Sequence, residues 1–206
     1  MAMSLAAPPS DHIAEMMIHV ARAARHEAPR SRLTSAQWTC LRFLARSKQS
    51  TRTPSGFASF HATTRGTASQ IVKSLEADGL IVRRRAPLDG RSVFFDLTDA
   101  GRDALDEDPL GDLIAALDAL EPTQSEAFLA TLRRLTTSLA ERRGVCAFGT
   151  CGDCAHYSLS GDEGYCACMS APVAADEIYQ LCASYCGPGS QPASPPTPAS
   201  PQTEGP

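Results

Sequence analysis

Apolar positions near the start of the chain recur at intervals of three and four residues, the spacing of an amphipathic helix. Ile13, Met16, Met17 and Val20 fall on one stripe, and the helix is expected to run to about residue 28 because Pro29 cannot continue it. Two further stripes lie late in the chain: Leu110, Leu113, Ile114, Leu117 and Leu120, then Phe128, Leu132, Leu135 and Leu139, the last opened by a Thr123–Glu126 capping box. These stripes carry more apolar surface than one small helical domain can cover, which predicts a dimer.

Residues 33–99 predict a compact block that begins with three helices. Thr34 and Gln37 form a capping box at the start of the first helix. Thr53 is the predicted N-cap of the second, and the third starts near Thr64. Gly79 ends the third helix, because glycine adopts the left-handed conformation without steric cost. The inward positions are Trp38, Leu41 and Leu44, then Phe57 and Phe60, then Ala68, Ile71, Val72 and Leu75.

The pattern changes after Gly79 from helical to β-rich. Residues 80–85 and 92–97 are rich in β-branched and aromatic side chains, and Asp89-Gly90 between them is a strong hairpin turn signal. Three helices followed by a hairpin form the winged helix–turn–helix arrangement, in which the last helix enters the major groove of DNA. The predicted fold is therefore mainly α with a small β-hairpin wing.

The charge distribution supports a polyanionic partner for this block. The net charge of the chain is −4, but residues 22–95 carry fourteen Lys and Arg against four acids, a net +10. Residues 146–206 carry six acids and no Lys or Arg. A basic region inside an acidic protein is suited to DNA, because phosphate binding releases condensed counterions.

The outward face of the predicted third helix combines hydroxyls, an amide and cations. Such groups can hold phosphates or contact base edges. In the hairpin, Arg91 is placed to enter a minor groove, with Asp89 close enough to hold its guanidinium. The candidate DNA-binding residues are Thr64, Arg65, Thr67, Ser69, Gln70, Lys73, Arg83, Arg84, Arg85, Asp89 and Arg91.

The hairpin region resembles the wing of the MarR (multiple antibiotic resistance regulator) family. That wing has the form Asp-x-Arg, a strand, then Leu-Thr-x-x-Gly, matched here by Asp89-Gly-Arg91 and Leu97-Thr98-Asp-Ala-Gly101. The preceding helix is similar to the family's recognition helix at Val72, Leu75 and Gly79. The resemblance covers about residues 10–143.

This resemblance implies an obligate homodimer held together by its N- and C-terminal helices. It also implies binding to a pseudo-palindromic operator, usually as a repressor that a small-molecule ligand or an oxidant releases. Gly90 departs from the family pattern, since many relatives carry a polar or basic residue there, and this implies weaker wing contacts.

Seven of the eight cysteines fall between residues 146 and 186. Pairs of thiolates separated by two residues can chelate one ion, and two such pairs complete a tetrahedral zinc site. The predicted zinc ligands are Cys151, Cys154, Cys166 and Cys182, with Cys146, Cys168 and Cys186 as substitutes or extras. The segment also resembles the C-terminal cysteine extension of some MarR-like proteins.

Two other interpretations of the cysteines remain open. Cys146, Cys151 and Cys154 have the C-x4-C-x2-C spacing of plant-type ferredoxins, which would hold an iron–sulfur cluster. Seven nearby cysteines exceed what one zinc ion needs. A third interpretation is disulfide formation or thiol switching. Cys40 lies on an apolar helix face and is predicted to be a small buried residue rather than a sensing thiol.

Several classes of protein are excluded by the sequence. No apolar run approaches the 18–20 residues of a membrane helix, and the first residues lack the features of a signal peptide, so we expect a cytoplasmic, nucleoid-associated protein with no membrane partner. No phosphate-binding glycine-rich loop and no nucleophile elbow is present, so no enzyme is predicted.

The sequence thus predicts a dimeric winged-helix regulator over residues 1–144, a cysteine-rich metal-binding module over 145–186 and a disordered proline-rich tail over 187–206. Its partners would be operator DNA, a second copy of the chain and a small-molecule or redox effector. The alternative is a redox or iron–sulfur protein that uses the cysteine segment, with the winged helix making protein contacts.

Overall fold

The computed structural model describes residues 9–24, 32–85, 93–145, 147–161 and 163–187. Its helices are α1 (Ser10–Ala23), α2 (Ser35–Arg46), α3 (Pro54–Phe60), α4 (Arg65–Ala77), α5 (Asp99–Asp106), α6 (Gly111–Asp118) and α7 (Pro122–Arg143). Its strands are β1 (Ile81–Arg85), β2 (Val93–Leu97), β3 (Gly149–Thr150), β4 (Tyr157–Ser160), β5 (Glu163–Cys166), β6 (Ala171–Val173) and β7 (Leu181–Cys182). Short 3-10 turns occupy Gln49–Thr51, Cys151–Asp153 and Ala175–Glu177.

The chain divides into two compact units. The first comprises residues 1–45 and 52–132, and the second comprises 46–51 and 133–206. This division differs from the predicted boundary at residue 144, because the 46–51 segment and the end of α7 pack with the cysteine-rich residues. Within the described ranges, no helix is long and apolar enough to cross a membrane.

The helices of the first unit begin where threonine side chains can cap them. The Thr34 N–H donates to Gln37 Oε1 at 2.8 Å, and the Gln37 N–H donates to Thr34 Oγ1 at 3.3 Å. Thr53 Oγ1 accepts from the Gly56 N–H at 3.0 Å, with Pro54 at the first helical position. Each side chain satisfies an N–H that the helix itself leaves unpaired, so the predicted caps at Thr34 and Thr53 are confirmed.

The core of the first unit lies between α2, α3, α4 and the β1–β2 hairpin. Its buried side chains are Trp38, Cys40, Leu41, Phe43, Leu44, Phe57, Ala58, Ala68, Val72, Leu75, Ile81, Phe94 and Phe95. Ile71 is only half-buried. The predicted inward position of Phe60 is wrong, because its side chain is 37% exposed, although its ring lies 5.0 Å from the Phe43 ring between centroids.

The hairpin is joined to α4 and α5 by two tight connections. Gly79 has φ 72°, the left-handed value expected at the end of α4. Thr98 caps α5 by accepting from the Gly101 N–H at 3.1 Å, and its hydroxyl donates to the Gly79 carbonyl at 2.7 Å. A Cβ at Gly101 would collide with the Leu80 carbonyl. The Leu-Thr-x-x-Gly motif therefore fixes the position of the wing relative to α4 and α5.

Two predicted helix boundaries differ from the structure. Helix α1 ends at Ala23 rather than near residue 28. Helix α7 begins at Pro122, before the predicted Thr123 cap, and the Glu121 N–H donates to the Gln124 side chain at 3.3 Å. Proline at the first helical position costs nothing there, since its N–H would be unpaired anyway. The predicted turn at Asp89-Gly90 and the predicted tail from 188 onward lie outside the described residues.

The second unit consists of short antiparallel strands and turns. Strand β3 pairs with β7, and β4, β5 and β6 form a three-stranded sheet in that order. Gly149 lies opposite Cys182 in the first pair, and Tyr157 lies opposite Cys166 in the second. The C-terminal part of α7 is fastened to the unit by an ion pair of 2.8 Å between Arg133 Nη1 and Asp153 Oδ1.

Candidate nucleic-acid interface and thiol cluster

Helix α4 has one buried and one exposed face. Ala68, Val72 and Leu75 form the buried stripe. Gln70 and Lys73 lie on the opposite face, because successive residues advance by about 100° around a helix, and both are exposed. Burial of the apolar stripe therefore leaves the Gln70 amide and the Lys73 ammonium group exposed on the other face of α4.

The first turn of α4 exposes further polar groups. Arg65 and Thr67 are exposed, and Ser69 is half-buried. The helix predicted to start near Thr64 has Thr64 as its N-cap. Its hydroxyl oxygen accepts from the Thr67 N–H at 3.1 Å and lies 2.9 Å from the Thr67 hydroxyl. The first role of Thr64 is thus to start the helix, and its hydroxyl is already engaged.

The strand that follows α4 carries three consecutive exposed arginines. Arg83 lies over the Phe95 ring at 5.9 Å, in cation–π geometry. Arg84 lies 3.7 Å from Asp96, which also pairs with Arg52 at 2.6 Å. Together with Arg85 these side chains form the described part of the basic wing. Asp89 and Arg91, the predicted groove-entering pair, lie outside the described residues.

Arg52 was not among the residues predicted from the sequence, although it fixes the wing. Its guanidinium binds Asp96 of β2, and its carbonyl accepts from the Phe95 N–H at 2.9 Å. Arg52 lies directly before the Thr53 cap of α3. Both contacts hold the wing beside the start of α3, and local sequence gives no signal for a pairing so distant along the chain.

The six described cysteines of the second unit come from three stretches of chain that its strands bring together. They are all free thiols: Cys151, Cys154, Cys166, Cys168, Cys182 and Cys186. Electrostatic interactions link Cys151 with Cys154, Cys166 and Cys182. Cys154 also interacts with Cys182 and Cys186. We call this group the thiol cluster. Cys146 lies outside the described residues.

Burial governs the acidity of these thiols. It raises the pKa of Cys151, an effect that a hydrogen bond from the Lys48 side chain opposes. It also raises the pKa of Cys182, which Lys48 opposes through its charge. In the first unit, burial raises the pKa of the Cys40 thiol from 9.0 to about 12. Cys40 is the small buried residue expected from its helix face.

Lys48 is a second residue that the sequence analysis missed. Its side chain is only 13% exposed and lowers the pKa of the Cys151 thiol, while its ammonium lies 3.9 Å from Glu177 Oε2. It reaches the thiol cluster from the segment between α2 and α3. Within the described ranges, no group of three or more His, Cys, Asp or Glu side chains is arranged to hold a metal ion, so the zinc site stays a prediction.

Comparison with known proteins places these features in context. The model of the MarR family matches residues 33–92. The crystal structure of an S. aureus MepR–DNA complex is 22% identical, with a TM-score of 0.51, and the match covers 64% of this chain and 96% of that one. At this identity the likeness concerns the fold, and it agrees with the predicted winged helix. No curated protein matches the chain by sequence.

Two further structures are similar over a comparable share of the chain. B. bronchiseptica BpsR, described for regulation of its DNA binding by 6-hydroxynicotinic acid, is 21% identical with a TM-score of 0.46, covering 66% of this chain and 97% of that one. The Thermotoga maritima transcriptional regulator Tm0710 is 23% identical with a TM-score of 0.42, covering 65% and 94%.

Proposed function

Because the chain carries a MarR-family domain at residues 33–92, as its wing and recognition helix predicted, we propose that it is a DNA-binding transcription regulator. The observation that carries the proposal is the two-faced helix α4, whose apolar stripe is buried while Arg65, Gln70 and Lys73 are exposed. The S. aureus MepR structure of the same fold is a complex with DNA. We extend that use of the fold to this chain.

In the proposed complex, α4 lies in the major groove and the wing contacts the adjacent groove or backbone. Gln70 is suited to read an adenine edge by paired hydrogen bonds, and Arg65 is suited to guanine or phosphate. Lys73 and the wing residues Arg83, Arg84 and Arg85 supply phosphate contacts, which position the protein without reading sequence. Among the described residues, no ion pair engages Arg65 or Lys73.

The active form is proposed to be a homodimer. Helix α1 has no buried residue, and its large apolar side chains are all at least 42% exposed, including Met17 and Ile18. Helix α7 likewise exposes Phe128, Leu135 and Leu139. A 14-residue helix is marginal in water unless its apolar face is packed. A second copy, matched to the same faces by two-fold symmetry, would cover them.

A two-fold dimer presents two α4 helices, so the operator is expected to be pseudo-palindromic, with half-sites about one helical turn apart. We further propose that binding represses transcription and that an effector relieves it. An operator placed over the promoter would make this directly testable by transcription in vitro.

The experiment that tests the proposal is fluorescence anisotropy with duplexes from upstream of the gene, at several salt concentrations. Arg84→Ala is compared with Arg102→Ala, since both arginine side chains are 60% exposed and each pairs with an aspartate. We expect Arg84→Ala to weaken binding and to reduce the slope of log K against log salt by about 1. Arg102→Ala, on α5, should leave both unchanged.

The proposal fails if the wild-type protein shows no salt-dependent binding to any duplex, or if the two variants bind alike. Sedimentation velocity tests the dimer in the same samples. The wild type should sediment as a dimer, and Ile18→Glu should shift it towards monomer. A monomeric wild type at micromolar concentration would contradict the proposed assembly.

A further inference from the structure

We propose that Cys151, Cys154, Cys166 and Cys182 bind one Zn²⁺ as thiolates, and that Lys48 stabilises the charged site from outside the cysteine segment. Zinc accepts four sulfur ligands in a tetrahedral arrangement in structural sites. The proposal goes beyond DNA binding, and it assigns a role to the thiol cluster and to Lys48.

The strand pairing joins the separate chain segments that carry the four proposed ligands. The 3-10 turn after β3 contains Cys151, and the Cys154 N–H donates to the Cys151 carbonyl at 3.0 Å. Pairing of β3 with β7 places Cys182 beside the entry to this turn. Pairing of β4 with β5 places Cys166 opposite Tyr157, whose N–H donates to the Cys154 carbonyl at 3.0 Å. The electrostatic links among the thiols follow from this topology.

The second unit has almost no apolar core of its own. In the described part of 147–187, the buried apolar side chains are Val173 and the three thiols Cys151, Cys166 and Cys182. Larger apolar groups such as Leu159 and Tyr179 are exposed. Small units that cannot bury enough apolar surface depend on cross-links or metals for stability. Thiols at the centre of such a unit favour a metal.

Zinc binding releases protons from the thiols and leaves a negatively charged site. Four neutral thiols and one Zn²⁺ give a tetrathiolate of charge −2 and release four protons, so the side chains have to rotate inward as the protons leave. A buried charge of −2 needs compensation. Lys48 supplies one positive charge at Cys151, and the Cys186 N–H already donates to Cys154 Sγ at 3.5 Å. Such outer contacts orient metal ligands and tune their affinity.

The residues around Cys182 also hold the segment that joins α2 to α3. The Lys48 N–H donates to the Leu181 carbonyl at 2.9 Å, and the Ala183 N–H donates to Thr51 Oγ1 at 3.0 Å. Thr51 is 2% exposed. Zinc that fixes Cys182 therefore fixes residues 46–51, which lead by chain connectivity into α3 and α4. Any effect of zinc on DNA binding through this link rests on the proposed function.

The test begins with full-length protein purified without oxygen, analysed for zinc, iron and sulfide and by visible spectrum. One zinc per chain and no colour is the expected result. A brown protein with iron and sulfide, or a metal-free protein whose intact mass shows disulfides, would overturn the proposal. None of these readouts requires DNA, so they stand even if the proposed function fails.

The ligand set is tested by Cys166→Ser against Cys168→Ser, two neighbouring positions of which only the first is a proposed ligand. Cys166→Ser should lose stoichiometric zinc, and Cys168→Ser should keep it. Equal loss in both variants, or loss only in Cys168→Ser, would show that the set is wrong. Cys40→Ser should retain full zinc and serves as the control for handling.

Lys48→Met tests the outer contact without removing a ligand. Competition with a chelating dye should show about a tenfold weaker zinc affinity. Hydrogen exchange should show that zinc protects the Lys48 and Ala183 amides in the wild-type protein. Unchanged affinity in Lys48→Met would remove Lys48 from the site, and equal exchange with and without zinc would remove the link to residues 46–51. A change in the DNA affinity of the wild-type protein on zinc binding would show that the link regulates the proposed function. An unchanged DNA affinity would limit the zinc site to a structural role.

Discussion

The two compact units differ in the side chains that they bury. The first buries large aromatic and aliphatic side chains such as Phe43, Phe57 and Leu75 between helices and a hairpin. Among its described residues, the second buries Ala140 at the end of α7 and, between short strands, one valine and three thiols. The first is therefore held mainly by hydrophobic burial, whereas we infer that the second depends on what its thiols bind.

The largest expected difference between the units is their response to metal removal. Under the zinc proposal, a strong chelator should leave the amides of 147–187 exchanging at unfolded rates, because structural zinc contributes about 10–16 kcal/mol of binding free energy in small peptides. The core amides of α2 and α4 should stay protected. Hydrogen exchange with mass spectrometry measures both units in one sample.

Adding Zn²⁺ back should restore protection, and Mg²⁺ should not, because it prefers oxygen ligands. Unchanged exchange in 147–187 after complete chelation would mean that the two units do not differ in this way.

The converse experiment weakens the first unit. Phe57→Ala should lower its free energy of unfolding by about 3–5 kcal/mol, because the ring is fully buried and leaves a cavity. Phe60→Ala is the matched control on the same helix and should cost about 1 kcal/mol, since that ring is partly exposed. Urea unfolding followed by Trp38 fluorescence reports on this unit, and equal losses in both variants would contradict the described core.

The junction between the wing and its helices predicts a smaller effect. Thr98→Ala removes the α5 cap and the hydrogen bond to the Gly79 carbonyl, which should cost about 1–2 kcal/mol. The Thr131 hydroxyl donates to the Ala127 carbonyl within α7. Thr131→Ala should therefore change stability by less than about 0.5 kcal/mol. Thermal unfolding compares the two, and a harmless Thr98→Ala would show that the junction does not depend on this residue.

The last expected effect, small near neutral pH, is the alkaline destabilisation of the first unit. Because burial raises the pKa of Cys40 to about 12 from 9.0, its thiol ionises in the unfolded chain before it does in the folded one. Its contribution to stability is complete below pH 9 and is lost between about pH 9 and 12, at up to about 1.4 kcal/mol per pH unit. Urea unfolding at pH 8, 9 and 10 measures the slope.

Cys40→Ala removes the titrating group, so its stability should fall less steeply with pH than that of the wild type. Parallel slopes would contradict the burial of Cys40. Iodoacetamide at pH 8 should leave Cys40 unmodified in the folded wild-type protein.

Features that depend on neighbouring residues could be predicted from the sequence. The caps at Thr34 and Thr53, the start of α4 near Thr64 and the left-handed Gly79 each involve groups within a few residues, and all four were predicted correctly. The resemblance to a wing also identified Thr98 and Gly101. Their physical roles, capping α5 and passing close to Leu80, became visible only in the structure.

Features that depend on distant pairing could not be predicted. Nothing beside Lys48 in the sequence indicates that it reaches Cys151, and nothing beside Arg52 indicates its pairing with Asp96. Both contacts arise from tertiary packing of remote segments. Phe60 is a further example. Its spacing along the helix predicted burial, but the packing of α3 leaves the side chain partly exposed.

The central claim is that the exposed face of α4 reads DNA sequence, and the most direct measurement is the selection of bound duplexes from a random library by wild-type protein and Gln70→Ala. The wild type should select a two-fold symmetric site. Gln70→Ala should lose its base preference at one pair of symmetric positions while keeping the remainder of the site. Identical selected sequences for both proteins, or no selected sequence for the wild type, would contradict the account.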